Sequence, residues 1–251
     1  MPQVTSSVVS HGQGHLLGTL LSDLDRLANP DLTHLVVTLN LAEDWAPPTR
    51  VGHATVTVIR NEWPLGFAAN HNQAFRQCST PVFVVLNPDL RLPHDPLPAL
   101  QQALREPGCA LAVPWQLDEA GAPENFCREL MTPWKLLQRT VSRRRGRALG
   151  LTPPERLDWV AGSFLCVDAA AFRAIGGFDP GYRLYCEDAD LCLRLQLAGG
   201  RIAVLRDTVI VHAAQRHSGG HLKYLGWHVA SLARHWTSRA FWRYWRAHRH
   251  G

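Results

Sequence analysis

Three carboxylates in four residues, Glu187-Asp188-Ala189-Asp190, form the densest chemistry-bearing cluster in the sequence. Like charges this close repel, so the spacing is costly unless a cation, a helix end or a function offsets it. The cluster opens a helix-like stretch, Asp188–Ala198, and the N-terminal end of a helix stabilises negative charge. Asp190 and Arg194 stand four residues apart and can pair along that helix, while Glu187 can cap it. Asp188 is left as the candidate general base.

A second group follows the apolar run Val82-Phe83-Val84-Val85-Leu86, which leads straight into Asn87-Pro88-Asp89. Pro88 withholds a backbone N–H and ends the strand. A carboxylate at that point either caps the next turn or holds Mg²⁺ or Mn²⁺ while substrate phosphates complete the shell. His212 ends another apolar run, Val209-Ile210-Val211, and reads as a core histidine or as a metal or diphosphate ligand beside Asp89. Gly12, Gly14 and Gly18 follow the first apolar run and open a helix, a turn that suits a nucleotide. Their spacing departs from the dinucleotide fingerprint, and Leu35–Leu39 ends in Asn40 instead of an acid, which argues against a dehydrogenase.

These groups need a scaffold, and the pattern supplies one. Val4–Ser10, Leu35–Leu39, Thr55–Ile59, Pro81–Leu86 and Cys109–Trp115 read as strands. Between them, Leu16–Leu27, Gly66–Gln77 and a stretch ending near Arg105 read as helices. Strand–helix alternation predicts a doubly wound, largely parallel sheet, with ligands at the carboxyl ends of its strands. Residues 116–157 carry four prolines and the basic run Arg143–Arg147, and read as a long, partly mobile connection. Trp159–Val167 is expected as one strand, and Ile202–Leu205 and Val209–Val211 as two more.

Taken in order, Asn61, the run Gly66-Phe67-Ala68-Ala69-Asn70-His71-Asn72, Asn87-Pro88-Asp89, Ala161-Gly162-Ser163-Phe164, Gly176-Gly177-Phe178-Asp179, Glu187-Asp188-Ala189-Asp190-Leu191 and His212 resemble the rhamnosyltransferase-like branch of family 2 glycosyltransferases. The resemblance spans about residues 3–218. It implies an α/β GT-A fold: a Rossmann-like, mostly parallel central sheet flanked by helices, followed by a C-terminal helical tail. It also implies an inverting transferase that moves a hexose from a nucleotide-diphosphate sugar, with L-rhamnose from a dTDP donor as the leading expectation. The acceptor would be a hydroxyl of a cell-surface polysaccharide or lipid-linked glycan. Asp89 and His212 match the residues at the divalent cation, and Asp188, with Glu187 beside it, matches the base. His11, Asn40, Asn61, Gly66, Asn70, Asn72, Asn87, Gly162, Ser163 and Arg194 are the expected nucleotide-sugar contacts. In domain terms, 1–115 would be the nucleotide-sugar half, 116–218 the acceptor and catalytic half, and 219–251 a basic aromatic tail. The chain departs from the family where Asn40 replaces an acid and Asn87 stands in the place of a frequent Asp.

Composition narrows the alternatives. Of 251 residues, 46% are hydrophobic and 19% charged, enough for a substantial core and too apolar for a disordered chain. The apolar runs fall far short of the roughly 20 residues of a membrane span. Met1-Pro2-Gln3-Val4 shows no basic segment leading into an apolar one, and six cysteines lack metal-site spacing, so reduced thiols and a cytoplasmic location are expected.

The net charge of +5 is unevenly spread: Thr208–Gly251 holds seven Lys or Arg and no Asp or Glu. Leu222, Leu225, Val229, Leu232 and Trp236 form one helical stripe, expected to pack on the body. Arg239–His250 interleaves arginines with Trp242, Tyr244 and Trp245, which suits a peripheral contact with anionic headgroups on the inner face of the cytoplasmic membrane. A nucleic-acid partner is not expected, because the basic excess is confined to this tail and Arg143–Arg147 and no RNA-binding motif accompanies it. A catalytically inactive scaffold is the remaining alternative, resting on Asn87 and Asn40.

Overall fold

The computed structural model describes residues 3–137, 157–213 and 221–248. Arg143–Arg147 and the rest of 138–156 in the expected connection lie outside them. A nine-stranded sheet organises the chain in the order β3-β4-β2-β1-β5-β10-β7-β11-β6. Its strands are β1 (Val4–Ser10), β2 (Leu32–Leu39), β3 (Arg50–Val51), β4 (Ala54–Arg60), β5 (Val82–Leu86), β6 (Leu90–Arg91), β7 (Cys109–Leu117), β10 (Phe164–Asp168) and β11 (Arg201–His212). A separate two-stranded ribbon pairs β8 (Cys127–Arg128) with β9 (Trp159–Val160). The β4, β2, β1 and β5 strands run parallel, as do β7 and β11.

Every residue of β5 is buried, which accounts for its unbroken apolar run: the strand is covered on both faces. One face packs under α1 (Gly14–Leu27) and α3 (Leu97–Leu104), around Leu17, Leu20, Val84 and Leu100. The other packs under α2 (Phe67–Phe75) and the Glu187–Leu197 helix, around Phe83, Phe172, Phe178 and Leu191. The α1 stripe Leu17, Leu20, Leu21 and Leu24 is buried as its spacing predicts.

Two expectations about strands are corrected. Trp159–Val167 is not one strand: it breaks at 161–163, leaving β9 in the ribbon and β10 in the main sheet. β10 enters from the edge where β5 ends, pairing Phe164 with Leu86, and so must run antiparallel to both β5 and β7. Conversely, the two strands expected at 202–211 are one, β11, whose irregularity between Leu205 and Val209 mimics a break.

The tail differs from expectation in both segments: of the stripe expected to pack on the body, Leu232 is buried but Leu225 and Val229 are exposed. The His221–Thr237 helix docks through Ser231, which donates to the Leu184 carbonyl at 2.7 Å, and through Trp236, which donates to the Met131 carbonyl at 2.8 Å. The Arg239–His248 helix buries Phe241 and Tyr244 against Leu130 and Leu193. Tyr244 completes the anchor with a hydroxyl bond of 2.9 Å to Asp158. Phe241 and Tyr244 of the supposed interfacial segment are therefore core, while Trp242 is 43% exposed. Arg239, Arg243 and Arg246 share the opposite, exposed face. Among the described residues, no helix is long and apolar enough to cross a membrane.

Candidate active site

The break at 161–163 is where the site is built. Asn87 donates its backbone N–H to the Ser163 carbonyl at 2.8 Å, joining the end of β5 to the start of β10. A cavity of about 380 Å³ opens beside this junction, and its wall includes Asn87, Gln116, Glu124, Gly162, Ser163, Asp188 and His212. Asn87, Gln116, Ser163 and His212 meet here because each lies at or next to the end of a strand of the main sheet.

Asp188 is held as a base should be. It lies in the first turn of the Glu187–Leu197 helix, where its Oδ1 accepts from Ala189 N–H at 2.8 Å. Its Oδ2 accepts from Gly162 N–H at 3.1 Å. A side chain at Gly162 would crowd this approach, since a Cβ there would stand 3.3 Å from Asp188 Cβ. Burial raises the Asp188 pKa, opposed by those N–H groups and by the Arg128 guanidinium. Glu187, buried beside it, is pushed well above the carboxylate range by burial and by the charge of Asp188. Its Oε2 has no hydrogen-bond partner among the described residues. Backbone donors favour the charged form at Asp188, so Glu187 takes the proton of the pair.

The helix is entered through strained backbone. Tyr185 and Cys186 take φ values of 71° and 65°, a left-handed conformation that costs side-chain-bearing residues about 1–3 kcal/mol each. Neighbouring contacts enforce it: Phe67 N–H donates to the Arg183 carbonyl at 3.0 Å, and Arg183 lies 4.6 Å over the Trp227 ring.

His212 also lines the cavity and sits between two carboxylates. Its Nδ1 is 2.7 Å from Glu124 Oε2, and its Nε2 is 3.3 Å from Asp89 Oδ1. Burial disfavours its charge, but Asp89 and Glu124 outweigh that and raise its pKa to about 9. Asp89 lies behind His212 and off the cavity wall; Ala213 N–H, bonded to the Asp89 carbonyl at 2.9 Å, ties the two segments together. Asp89 Oδ1 is buried and faces His212 Nε2 at 3.3 Å without meeting hydrogen-bond geometry. That oxygen and the adjacent imidazole, once neutral, fit two neighbouring positions on one divalent ion. The described residues gather no cage of three or more ligands, so phosphate oxygens and water would complete the shell.

The expected nucleotide contacts divide. Asn40, Asn61, Asn70 and His11 form one network at the ends of β1, β2 and β4. Asn40 Oδ1 accepts from Asn61 and from Leu65 N–H, both at 2.8 Å, and its Nδ2 donates to the Leu65 carbonyl at 2.9 Å and meets His11 Nδ1 at 3.0 Å. Asn61 reaches Asn70 Oδ1 at 2.7 Å. This saturates the Asn40 amide, which therefore shapes the 61–66 loop. Gly66 lets that loop touch the Arg183 backbone, where a Cβ would come within 2.5 Å of the carbonyl oxygen. Asn72 clamps Phe178 through both its backbone groups, at 2.9 and 2.8 Å. Arg194 is turned from the cavity: Asp190 takes its Nε at 2.7 Å, and the Ile175 and Gly177 carbonyls take its Nη1. The i, i+4 pairing explains Arg194 better than a nucleotide contact does. Gly12 stands in a left-handed turn with its N–H on Glu43, 3.0 Å away.

Two wall residues were not legible. Glu124 lies in a loop with no pattern, brought back to β7 by the bond from its N–H to the Gln116 carbonyl at 2.9 Å. Gln116 did carry a signal, a lone polar residue beside an apolar strand, but it fell one position past the expected end.

Comparison with known proteins completes the description. Residues 38–152 match the Glycosyl transferase family 2 model. The chain is 28% identical to rhamnosyltransferase WbbL of Escherichia coli over 244 residues, covering 91% of this chain and 90% of that protein. It is 41% identical over 71 residues to the N-acetylglucosaminyl-diphospho-decaprenol L-rhamnosyltransferase of Mycobacterium tuberculosis, a match to 28% of this chain and 23% of that one. Among solved structures, the mannosyltransferase PcManGT of Pyrobaculum calidifontis, in complex with GDP-Man and Mn²⁺, aligns with a TM-score of 0.60 and 16% identity. That alignment covers 93% of this chain and 64% of the other. The 1–349 segment of S. aureus TarS aligns with a TM-score of 0.62 and 11% identity, over 98% of this chain and 72% of that one. At these identities the solved structures establish the fold, which is GT-A.

Proposed function

We propose that the chain is a family 2 glycosyltransferase of the rhamnosyltransferase-like branch, an inverting enzyme transferring L-rhamnose from dTDP-rhamnose to a hydroxyl of a lipid-linked or cell-surface glycan. The observation that carries the inverting reaction is one cavity lined both by a backbone-held carboxylate, Asp188, and by His212, which Asp89 backs from off the wall. Similarity along most of the chain to a rhamnosyltransferase supports the sugar.

An acceptor hydroxyl is a weak nucleophile, and Asp188 takes its proton as it attacks the anomeric carbon. The bond to the diphosphate breaks on the opposite face, so configuration inverts in one displacement. Asp89 and His212 would hold Mg²⁺ or Mn²⁺, and the bound ion supplies positive charge to the departing diphosphate. Gly162 and Ser163 line the same cavity, where donor sugar and acceptor meet.

The tail adds a peripheral membrane contact to this reading. Leu225 and Val229 are 56% and 58% exposed on the His221–Thr237 helix, and the three arginines of the last helix face outward. Exposed apolar side chains on one tail helix and outward arginines on the next suit an anionic lipid surface on the cytoplasmic side, where a lipid-linked acceptor would be met. Equal flotation on anionic vesicles by wild type and by Arg239→Glu/Arg243→Glu would remove this contact.

The catalytic reading is tested by incubating the enzyme with dTDP-rhamnose, UDP- and GDP-sugars, each with and without Mn²⁺, alongside a thermal-shift panel of the nucleoside diphosphates. The expected result is a shift with one nucleotide, about 2.7 kcal/mol at 100 times Kd, that needs Mn²⁺ and disappears in Asp89→Ala. A shift independent of both metal and Asp89 overturns the metal site. No shift and no turnover with any donor favours the inactive scaffold.

A further inference from the structure

Gln116 is fully buried yet lines the cavity. Its Oε1 accepts the Ser163 hydroxyl at 2.7 Å, while its Nε2 has no partner among the described residues. Reversing the amide would let Nε2 donate to Ser163 and strand Oε1 instead, so one end of the carboxamide is unsatisfied in either assignment. Buried polar groups are almost always paired, and an unpaired one beside a cavity calls for a partner, water or a ligand atom, from outside the described residues.

We propose that the free end of the Gln116 carboxamide, aimed by Ser163, hydrogen-bonds a hydroxyl of the transferred sugar and so helps select the donor. The argument rests on the reading of this cavity as a sugar-nucleotide site. Position favours the sugar over the diphosphate. Gln116 bonds Ser163, whose neighbour Gly162 holds the base, and its own backbone carbonyl accepts from Glu124, the partner of His212. It thus spans from the base wall to the diphosphate wall, along the path the sugar must occupy. Chemistry agrees: a neutral amide suits a neutral hydroxyl, whereas a phosphate calls for the charge gathered around Asp89 and His212. A hydroxyl can donate or accept, so it satisfies either end of the amide.

The test separates the sugar from the rest of the donor. Dissociation constants are measured calorimetrically with Mn²⁺ for the nucleoside diphosphate and for the sugar nucleotide that wild type binds best in the panel above. For Gln116→Met, which keeps the volume and removes the amide, the sugar nucleotide is expected to bind 5- to 50-fold more weakly. The nucleoside diphosphate should stay within twofold, and the melting temperature without ligand should change little, because loss of the unpaired amide end offsets the Ser163 hydroxyl left without its acceptor. Ser163→Ala, which frees the amide to rotate, should weaken the same ligand selectively but less, and it supplies the answer if Gln116→Met does not fold. Equal loss of both ligands, or loss of neither, overturns the assignment while leaving the enzyme's reading intact. A wild type that binds nucleoside diphosphate no more weakly than every sugar nucleotide also overturns it. Failure of wild type to bind either ligand defeats the sugar-nucleotide reading itself, and the Gln116 assignment with it.

Discussion

Gly162 and Asp188, 26 residues apart, meet through a backbone N–H to Oδ2 bond of 3.1 Å, and this contact fixes the candidate base on the wall of the cavity. The carboxylate beside it, Glu187, receives no such donor to its Oε2. Two adjacent acids are thereby given different protonation states by backbone geometry.

That difference predicts opposite outcomes for neutralising each acid. Asp188→Asn should lower kcat by about 10²–10⁴-fold, the range for a positioned base. Glu187→Gln, replacing a group already protonated, should retain most activity. The base works only when ionised, so kcat/KM should fall as pH drops through a pKa raised above the ordinary aspartate range by burial. The Glu187→Gln limb should coincide with that of wild type. A limb displaced to lower pH would mean that Glu187 carries charge.

Glu124 is expected to act through His212. Its carboxylate fixes the ring by accepting from Nδ1, which leaves Nε2 directed towards Asp89. Glu124→Gln should therefore weaken Mn²⁺ binding by about 10- to 100-fold, as for other partners of metal-ligating histidines. Titration by electron paramagnetic resonance in the presence of nucleotide reads this without turnover. Unchanged affinity in Glu124→Gln, with loss in His212→Ala, would limit Glu124 to shaping the wall.

Gly66→Ala should disturb the site from outside it. The new Cβ would lie 2.5 Å from the Arg183 carbonyl oxygen, so backbone must move. A destabilisation of about 1–3 kcal/mol is expected in urea unfolding. Activity should fall further than stability alone explains, because the Arg183–Cys186 segment leads directly into Asp188. Full activity at wild-type stability would show that the two loops separate freely.

Acid should destabilise the fold well above the carboxylate range. His71 is wholly buried, which pushes its pKa down to about 3, and burial lowers His235 to about 4. Both therefore stay neutral when folded but take up protons near pH 6.5 when unfolded. Stability is fully present above about 6.5 and is lost as pH falls towards the folded values. At pH 5 each should cost about 2 kcal/mol relative to pH 7. Urea midpoints at the two pH values measure the slope, and a His71→Leu chain should show a shallower one; an identical slope would exclude His71 as its source.

Sequence alone determined a good part of this protein. The apolar run 82–86 specified a doubly covered strand, the α1 leucines a helix with one buried face, and Asp190 with Arg194 an i, i+4 pair, because each depends on contacts or periodicity within one element. The ordered motifs likewise pointed to the family, since their residue types are set by the chemistry. Tertiary structure decided the rest. β10 runs antiparallel because the chain re-enters the sheet at the end of β5, a direction that no local pattern encodes. Asn40 is consumed by neighbours from other segments, and the Ile175 and Gly177 carbonyls join Asp190 in consuming Arg194, so residue type overstated their availability. Gln116 and Glu124 join the cavity only because β7 and its return loop lie beside Ser163 and the end of β11. Strand pairing across long sequence separations makes those contacts, and it leaves no periodicity by which they could be read.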